Sequence, residues 1–247
     1  SDGRIKPDIS ANGKDQMSTD EANGYQVGGG TSAASPGVAG CYTQLYQAYK
    51  SMNGGTNPDG ALIKACILNS ANEIGNPGPD YKFGWGQINV KRAYSTLADG
   101  HYLSSTLSQG NTNTHTISVP AGTAQVKVMV YWNDVEGNPA ASKALVNNID
   151  LTITDPASST LLPLVLDPTP NATTLNANAV PGVDTLNNME QVTIDAPAAG
   201  TYTVNVIGTE VPQGPQSYYV VWEFINDEIA VTYPNGGEGF VPNEQET

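Results

Sequence analysis

The chain has 247 residues, 38% of them hydrophobic and 14% charged, and its 10 Lys and Arg stand against 24 Asp and Glu for a formal net charge of −14. That length can bury the core of one or two domains; the charge argues against nucleic acid as a partner, because phosphate binding needs clustered cations; and no apolar run is long enough to span a membrane. Acidic surface serves solubility first, and it also offers oxygen ligands to a hard cation such as calcium. The abundance of Gly, Pro, Asn, Thr and Ser suits a secreted or cell-surface protein rich in turns. Two cysteines, Cys41 and Cys66, are too few for a disulfide framework. Both fall on apolar helical patterns and are expected as buried free thiols, with one bridge between adjacent helices as the alternative.

In chain order, SDGRIKPDISANG reads as a short strand entering a turn at Asn12 and Gly13, and the polar KDQMSTDEANGYQV reads as a surface loop. Gly28 to Gly40 (GGGTSAASPGVAG) then places Ser32 at a glycine-lined turn where a helix begins. A hydroxyl there lies at the positive end of the helix dipole, beside N–H groups without helical partners, which suits an attacking oxygen and the charge it generates. Taken locally, a helix-capping serine is the more ordinary reading. From Pro36, placed in the first turn, apolar residues recur at Val38, Cys41, Tyr42, Leu45, Tyr46 and Tyr49, one face of a helix that stops at Asn53, Gly54 and Gly55. A second helix, apolar nearly all round and therefore buried, is expected from Asn57 and Pro58 through Leu68. Beyond Asp99 the period becomes two. Val126 to Trp132, Ile149 to Ile153, Tyr202 to Val206 and Tyr218 to Phe224 read as strands, separated by turns such as Asn138 with Pro139 and Asp155 with Pro156. Short strands with one apolar face each predict a β-sandwich or jelly roll over 99–226.

The string GTSAASPGVAG resembles the nucleophile motif of the subtilisin-like serine proteases, GTSMASPHVAG, and agrees at nine of eleven positions. The departures are Ala33, where the family has Met, and Gly37, where it has His. The segment around Lys6, Pro7, Asp8, Ala11 and Gly13 is similar to the family's PDVxAPG turn, with Asn12 in place of Pro. Gly84, Gly86, Ile88, Asn89 and Ala93 match its closing GxGxINxxxA pattern, which packs a short strand and a last helix. Strings such as VYWNDVEG and LVNNIDLTITDP resemble the β-sandwich that follows the catalytic domain in bacterial alkaline subtilases. The implied fold is a partial α/β, parallel-sheet subtilisin-like domain over 1–98, an all-β sandwich over 99–226, and a linker with the start of a further module over 227–247.

The resemblance implies a secreted endopeptidase acting on polypeptide substrates through an acyl-enzyme on Ser32, with the triad Asp and His and the oxyanion Asn upstream of Ser1. The 247 residues are then expected to be a piece of a longer catalytic domain, inactive alone and dependent on that N-terminal part as partner. His101 and His115 follow the serine outside the family's HGT context and are expected to be structural or surface residues. Ala33 lacks the oxidisable thioether of the family's Met, which predicts tolerance to peroxide. In the sandwich, Asp150 with Asp184, Asn187, Asn188 and Glu190 offers oxygen ligands for calcium, which this domain binds in the resembling family; Asn148 stands where that group has Asp. Asx turns without metal are the alternative. A non-catalytic binding or surface-display protein on a degenerate peptidase scaffold is the competing function. An α/β-hydrolase esterase is disfavoured, because its elbow is GxSxG and its other triad members follow the serine.

Overall fold

The computed structural model describes residues 2–226, so the tail module expected over 227–247 lies outside the described residues. The N-terminal stretch forms no regular strand. Its backbone is tied to the later segment where Ser10 makes a parallel bridge to Gln87 and Gln87 an antiparallel bridge to Asn72, with Asp8 O accepting from Trp85 N–H at 3.1 Å beside them. That bridge is the parallel element among the described residues of the first segment. The expected surface loop is instead an antiparallel hairpin, β1 (Gln16–Asp20) with β2 (Gly24–Gly28). Met17, Thr19, Tyr25 and Val27 alternate with polar residues at strand period, and Ala22 and Asn23 take positive φ at the tip, which closes the turn.

Helix α1 (Thr31–Met52) starts at the glycine turn beside Ser32, as the sequence implies, which carries Pro36 past the first turn. Pro36 is its sixth residue, in the second turn, where its missing N–H leaves the Ser32 carbonyl without an i+4 donor. The helix stops as its sequence predicts: Gly55 N–H donates to Lys50 O at 2.8 Å, with Gly54 and Gly55 at positive φ. Helix α2 (Gly60–Asn69) begins two residues later than expected because Asp59, not Asn57, is its cap, accepting from Ala61 N–H at 3.0 Å. Removing that acceptor orphans a first-turn donor. Asp59→Ala should therefore cost about 1 kcal/mol in chemical denaturation, and an unchanged midpoint would show that water replaces the cap. Every α2 residue from Ala61 to Asn69 except Lys64 is buried. Helix α3 (Val90–Ala98) is capped by Asn89, which accepts from Arg92 N–H at 3.0 Å.

The remaining residues form a β-sandwich. Strands β3 (Tyr102–Leu107), β4 (Thr112–Val119), β5 (Gln125–Tyr131), β6 (Asn148–Thr154), β7 (Thr160–Leu161), β10 (Met189–Asp195), β11 (Gly200–Glu210) and β12 (Gln216–Ile225) make two four-stranded antiparallel sheets, ordered β10-β5-β12-β3 and β4-β11-β6-β7. A small ribbon pairs β8 (Leu164–Val165) with β9 (Val180–Pro181). Between the sheets, Val126, Val128 and Val130 of β5 meet Ile149, Leu151 and Ile153 of β6, with Trp132, Tyr202 and Tyr218 among the largest buried side chains.

A second core joins the segments. The outward residues Met129 and Tyr131 of β5, Met189 of β10 and Val221 of β12 pack with α2, Ile5, Leu45, Trp85, Ala93 and Leu97. The sheet β10-β5-β12-β3 is thus covered on both faces, by the other sheet and by the helices. Polar contacts cross the same seam. Gln191 Nε2 donates to Asn69 Oδ1 at 2.9 Å, Lys127 Nζ to Ala71 O at 3.1 Å, and Arg92 Nε to Glu223 Oε2 at 3.0 Å, with a second Arg92 to Glu223 contact beside it.

Candidate nucleophile site

Ser32 is the second residue of α1 and is solvent-exposed. Its position follows from the glycines before it. Gly30 sits at φ 90 as the residue before the helix, a conformation costly for any residue with a Cβ. Gly30 N–H donates to Gly13 O at 2.6 Å, and a Cβ on Gly29 would lie 2.7 Å from that same Gly13 oxygen. The two backbone stretches therefore approach as only glycine allows. This anchors the turn to residues 10–13 and aims the helix N-terminus outward. Ala33 and Ala34 N–H groups both turn back to Gly30 O, at 3.0 and 3.3 Å. The Ser32 N–H, at the second helical position, has no intrahelical acceptor, so oxygen and donor stand together at the positive end of the helix. Among the described residues no imidazole or carboxylate hydrogen-bonds the Ser32 hydroxyl.

A cleft of ≈ 400 Å³ runs beside this turn, with Thr31, Ala34 and Ser35 on one wall and Pro7, Asp8 and Ser10 on the other. Asp8 is held by Lys64 at 2.8 Å and by Lys6. Burial raises its carboxyl pKa, but the two ammonium groups outweigh burial and hold it below its ordinary value. Lys64 was not singled out by sequence, although a lone charged residue in the apolar run GALIKACILN was the signal for it.

Both histidines are engaged in the sandwich. His101 stacks on Trp222 at 5.5 Å and meets Phe224 edge-on at 5.1 Å, while His115 Nε2 lies 2.8 Å from the Tyr218 hydroxyl. Burial lowers both imidazole pKa values. Cys41 and Cys66 are free thiols, Cys41 only half-buried, and burial pushes the Cys66 thiol up, so it is unreactive.

The five expected metal ligands divide into separate arrangements. Asp184 accepts from Leu186 and Asn187 N–H at 2.8 and 3.0 Å and from Asn187 Nδ2 at 2.7 Å, an Asx-type turn. Asn187 Oδ1 in turn accepts from Ile5 N–H at 2.8 Å, and Asn188 Nδ2 donates to Trp132 O at 2.6 Å. Asp150 carries Asn148 Nδ2 on one oxygen at 3.3 Å and the Thr209 hydroxyl on the other. Glu190 is buried between the sheets, where one oxygen accepts from Leu151 N–H at 2.7 Å. Its other oxygen and Asn148 Oδ1 are buried without a hydrogen-bond partner. Burial, opposed by the Leu151 bond and reinforced by the charges of Asp150 and Asp184, raises the Glu190 pKa well above its ordinary value. Among the described residues no group of three or more His, Cys, Asp or Glu side chains is placed to hold a metal ion.

Ser32 thus stands at a glycine turn on a helix N-terminus, in a segment that shares a core with a β-sandwich. Residues 1–86 match the model of the subtilase family and residues 111–208 that of the bacterial pre-peptidase C-terminal domain, so the segment bearing Ser32 is similar to the one and the β-sandwich to the other. Among curated relatives, the serine protease/ABC transporter B family protein tagA of Dictyostelium discoideum is 26% identical over 90% of this chain and 14% of its own length. Its relative tagB is 25% identical over 92% of this chain and 16% of its own length. The subtilisin-like protease SBT6.1 of Arabidopsis thaliana is 30% identical over 40% of this chain and 9% of its own. The chain therefore spans a small part of each of these proteins. No helix among the described residues is long and apolar enough to cross a membrane.

Proposed function

We propose that this chain is the nucleophile-bearing part of a secreted subtilisin-like serine endopeptidase. The observation that carries the reading is the exposed Ser32 hydroxyl beside its own N–H at the start of α1. In the reaction, Ser32 Oγ attacks the carbonyl carbon of a polypeptide substrate while a histidine removes its proton. The Ser32 N–H and an asparagine side chain share the oxyanion, and the same histidine returns the proton to the departing amine. Water then releases the acyl group. Histidine, its orienting aspartate and the oxyanion asparagine come from a segment preceding Ser1, so the 247 residues alone turn over no substrate. A fluorophosphonate probe tests this: labelling at Ser32 is expected in the protein that includes that segment and not in the isolated chain. No labelling in either would favour a non-catalytic binding or surface-display protein.

Calcium in the sandwich belongs to the same proposal. The unpartnered Glu190 and Asn148 oxygens are the residues that would hold a hard cation, and Asp150 and Asp184 would lend it charge. Asp184 and Asn187 hold their own turn and act as supports. The linkage sign follows from the raised pKa of Glu190: its stabilising protonated form is complete below the ordinary carboxylate range and lost as pH climbs through the raised value. Without calcium, Tm should fall over that climb; calcium should restore it at neutral pH, and Glu190→Gln should remove both effects. A wild-type Tm indifferent to calcium at neutral pH would leave Glu190 as a buried neutral acid.

A further inference from the structure

The sandwich grips the segment behind Ser32 at one residue, Asp8, by two routes. On the side-chain route, Asp8 Oδ2 meets Lys64 Nζ at 2.8 Å, while Lys6 holds the other carboxylate oxygen. The Lys64 ammonium lies 5.4 Å from the ring centroid of Tyr131 in β5, within cation–π range. Burial works against the Lys64 charge, yet Asp8 and Tyr131 outweigh it and raise the Lys64 pKa, so both partners favour the ammonium where it stands. On the backbone route, Asp8 O accepts from Trp85 N–H at 3.1 Å, and the Trp85 indole N–H donates to Met189 Sδ of β10 at 3.1 Å. Tyr131, Trp85 and Met189 are all buried. The two backbones touch as well: a Cβ on Gly84, at φ 66, would collide with Pro7 O.

Asp8 opens the stretch that ends at Gly13, whose carbonyl accepts the Gly30 N–H at 2.6 Å and so fixes the turn that starts α1. Midway, Ser10 N–H donates to Gly86 O at 2.8 Å and Ser10 O accepts from Ile88 N–H at 2.9 Å. A stretch pinned at this many points passes a shift at Asp8 on to Gly13 instead of absorbing it. Every link in the run joins two residues of this chain, so none depends on the segment upstream of Ser1.

We propose that Tyr131 and Met189 of the β-sandwich are positioning residues for Ser32. Through Lys64 and Trp85 they set where Asp8 lies, and through the stretch from Asp8 to Gly13 they set the Gly30 turn that aims the Ser32 hydroxyl and N–H. The proposal rests on Ser32 being the nucleophile, and it goes further in making the β domain part of what sets the rate at each site. Misplacing reacting atoms by about 1 Å costs roughly a hundredfold in rate, so losing one of two ties should cost about tenfold.

The test uses the protein with its upstream segment. Fluorophosphonate titration of Ser32 counts the assembled sites, and kcat is expressed per titrated site. A merely structural role would lower the number of sites and leave the rate of each unchanged. Tyr131→Leu removes the ring beside the ammonium but keeps an apolar side chain in the core; it and Asp8→Asn should each lower kcat per site about tenfold, with KM little changed. Tyr131→Phe keeps the ring and should stay within about twofold of the wild type. Because both act through one contact, Tyr131→Leu combined with Asp8→Asn should lower kcat no further than either alone. Met189→Leu removes the acceptor of the Trp85 indole, so it should lower kcat by the other route, and its loss should multiply with that of Tyr131→Leu. If Tyr131→Leu yields no titratable sites, Lys64→Met makes the same cut at a side chain that is 35% exposed. An unchanged kcat per site in Tyr131→Leu or Met189→Leu would overturn the proposal for that residue. Multiplied losses in Tyr131→Leu with Asp8→Asn would overturn the route through Asp8, as would a loss that Tyr131→Phe shares in full. A change confined to KM would overturn it too, because Asp8 would then be touching substrate. Absence of labelling at Ser32 in the wild type would instead remove the nucleophile reading, and this proposal with it.

Discussion

Ser32→Ala in the protein that carries its upstream segment should lower kcat by about 10⁴- to 10⁶-fold, with KM little changed and fluorophosphonate labelling abolished. The size of the loss follows from chemistry that no neighbour can replace. Ser35, one turn further along α1, sits inside the helix, away from the Gly30 turn that gives Ser32 its donor. The N–H of residue 32 survives the substitution, so residual turnover above water should come from oxyanion stabilisation and binding alone. Circular dichroism should be unaltered, since the Ser32 hydroxyl is exposed and caps nothing. A fall of less than about tenfold would mean that another group is the nucleophile.

Arg92→Ala should destabilise the chain by about 3 to 5 kcal/mol in chemical denaturation, and Glu223→Ala by a similar amount. The Glu223 side chain is 8% exposed and faces Arg92 through two contacts, and Arg92 also donates to Asn72 Oδ1 at 3.1 Å. Either truncation leaves one charge stranded between α3 and β12. The pair itself is a poor source of stability. Burial raises the Glu223 pKa despite the opposing pull of Arg92 and Lys127, so the cost of desolvating the carboxylate exceeds what its partners return. The double variant Arg92→Met, Glu223→Leu should accordingly recover most of the loss. Additive losses would show instead that the two side chains act through separate contacts.

The parts of the fold that could be read from sequence are those where a single residue type meets a single demand. The stop of α1 at Gly54 and Gly55, and strands β5, β6, β11 and β12, follow from glycine φ and from alternating apolar residues. Strand β10 escaped that reading because Glu190 and Gln191 are its second and third residues, both buried: one faces the sandwich interior and the other reaches Asn69 of α2. Strands β3 and β4 are built from serine, threonine and asparagine at the edges of their sheets, where propensity is weak and tertiary pairing decides. Pro36 lies one turn deeper than the first-turn position where proline usually sits, because the Gly30 conformation starts the helix five residues before it, at the glycine turn beside Ser32. At the site, Ser32 was legible because glycine, hydroxyl and helix start are consecutive in sequence. The turn in which Asp184 accepts from Leu186 and Asn187 N–H is the Asx alternative that sequence also offered, whereas the bond from Ile5 N–H to Asn187 Oδ1 joins residues remote in the chain and leaves no local signal.

The helical segment and the sandwich match two different families, yet Met129, Tyr131, Met189 and Val221 fill the same core as α2. Neither half could lose its fold and leave the other's hydrophobic surface covered. The two therefore share one core, and the β domain bears on how long the segment carrying Ser32 stays folded as directly as any residue of that segment does.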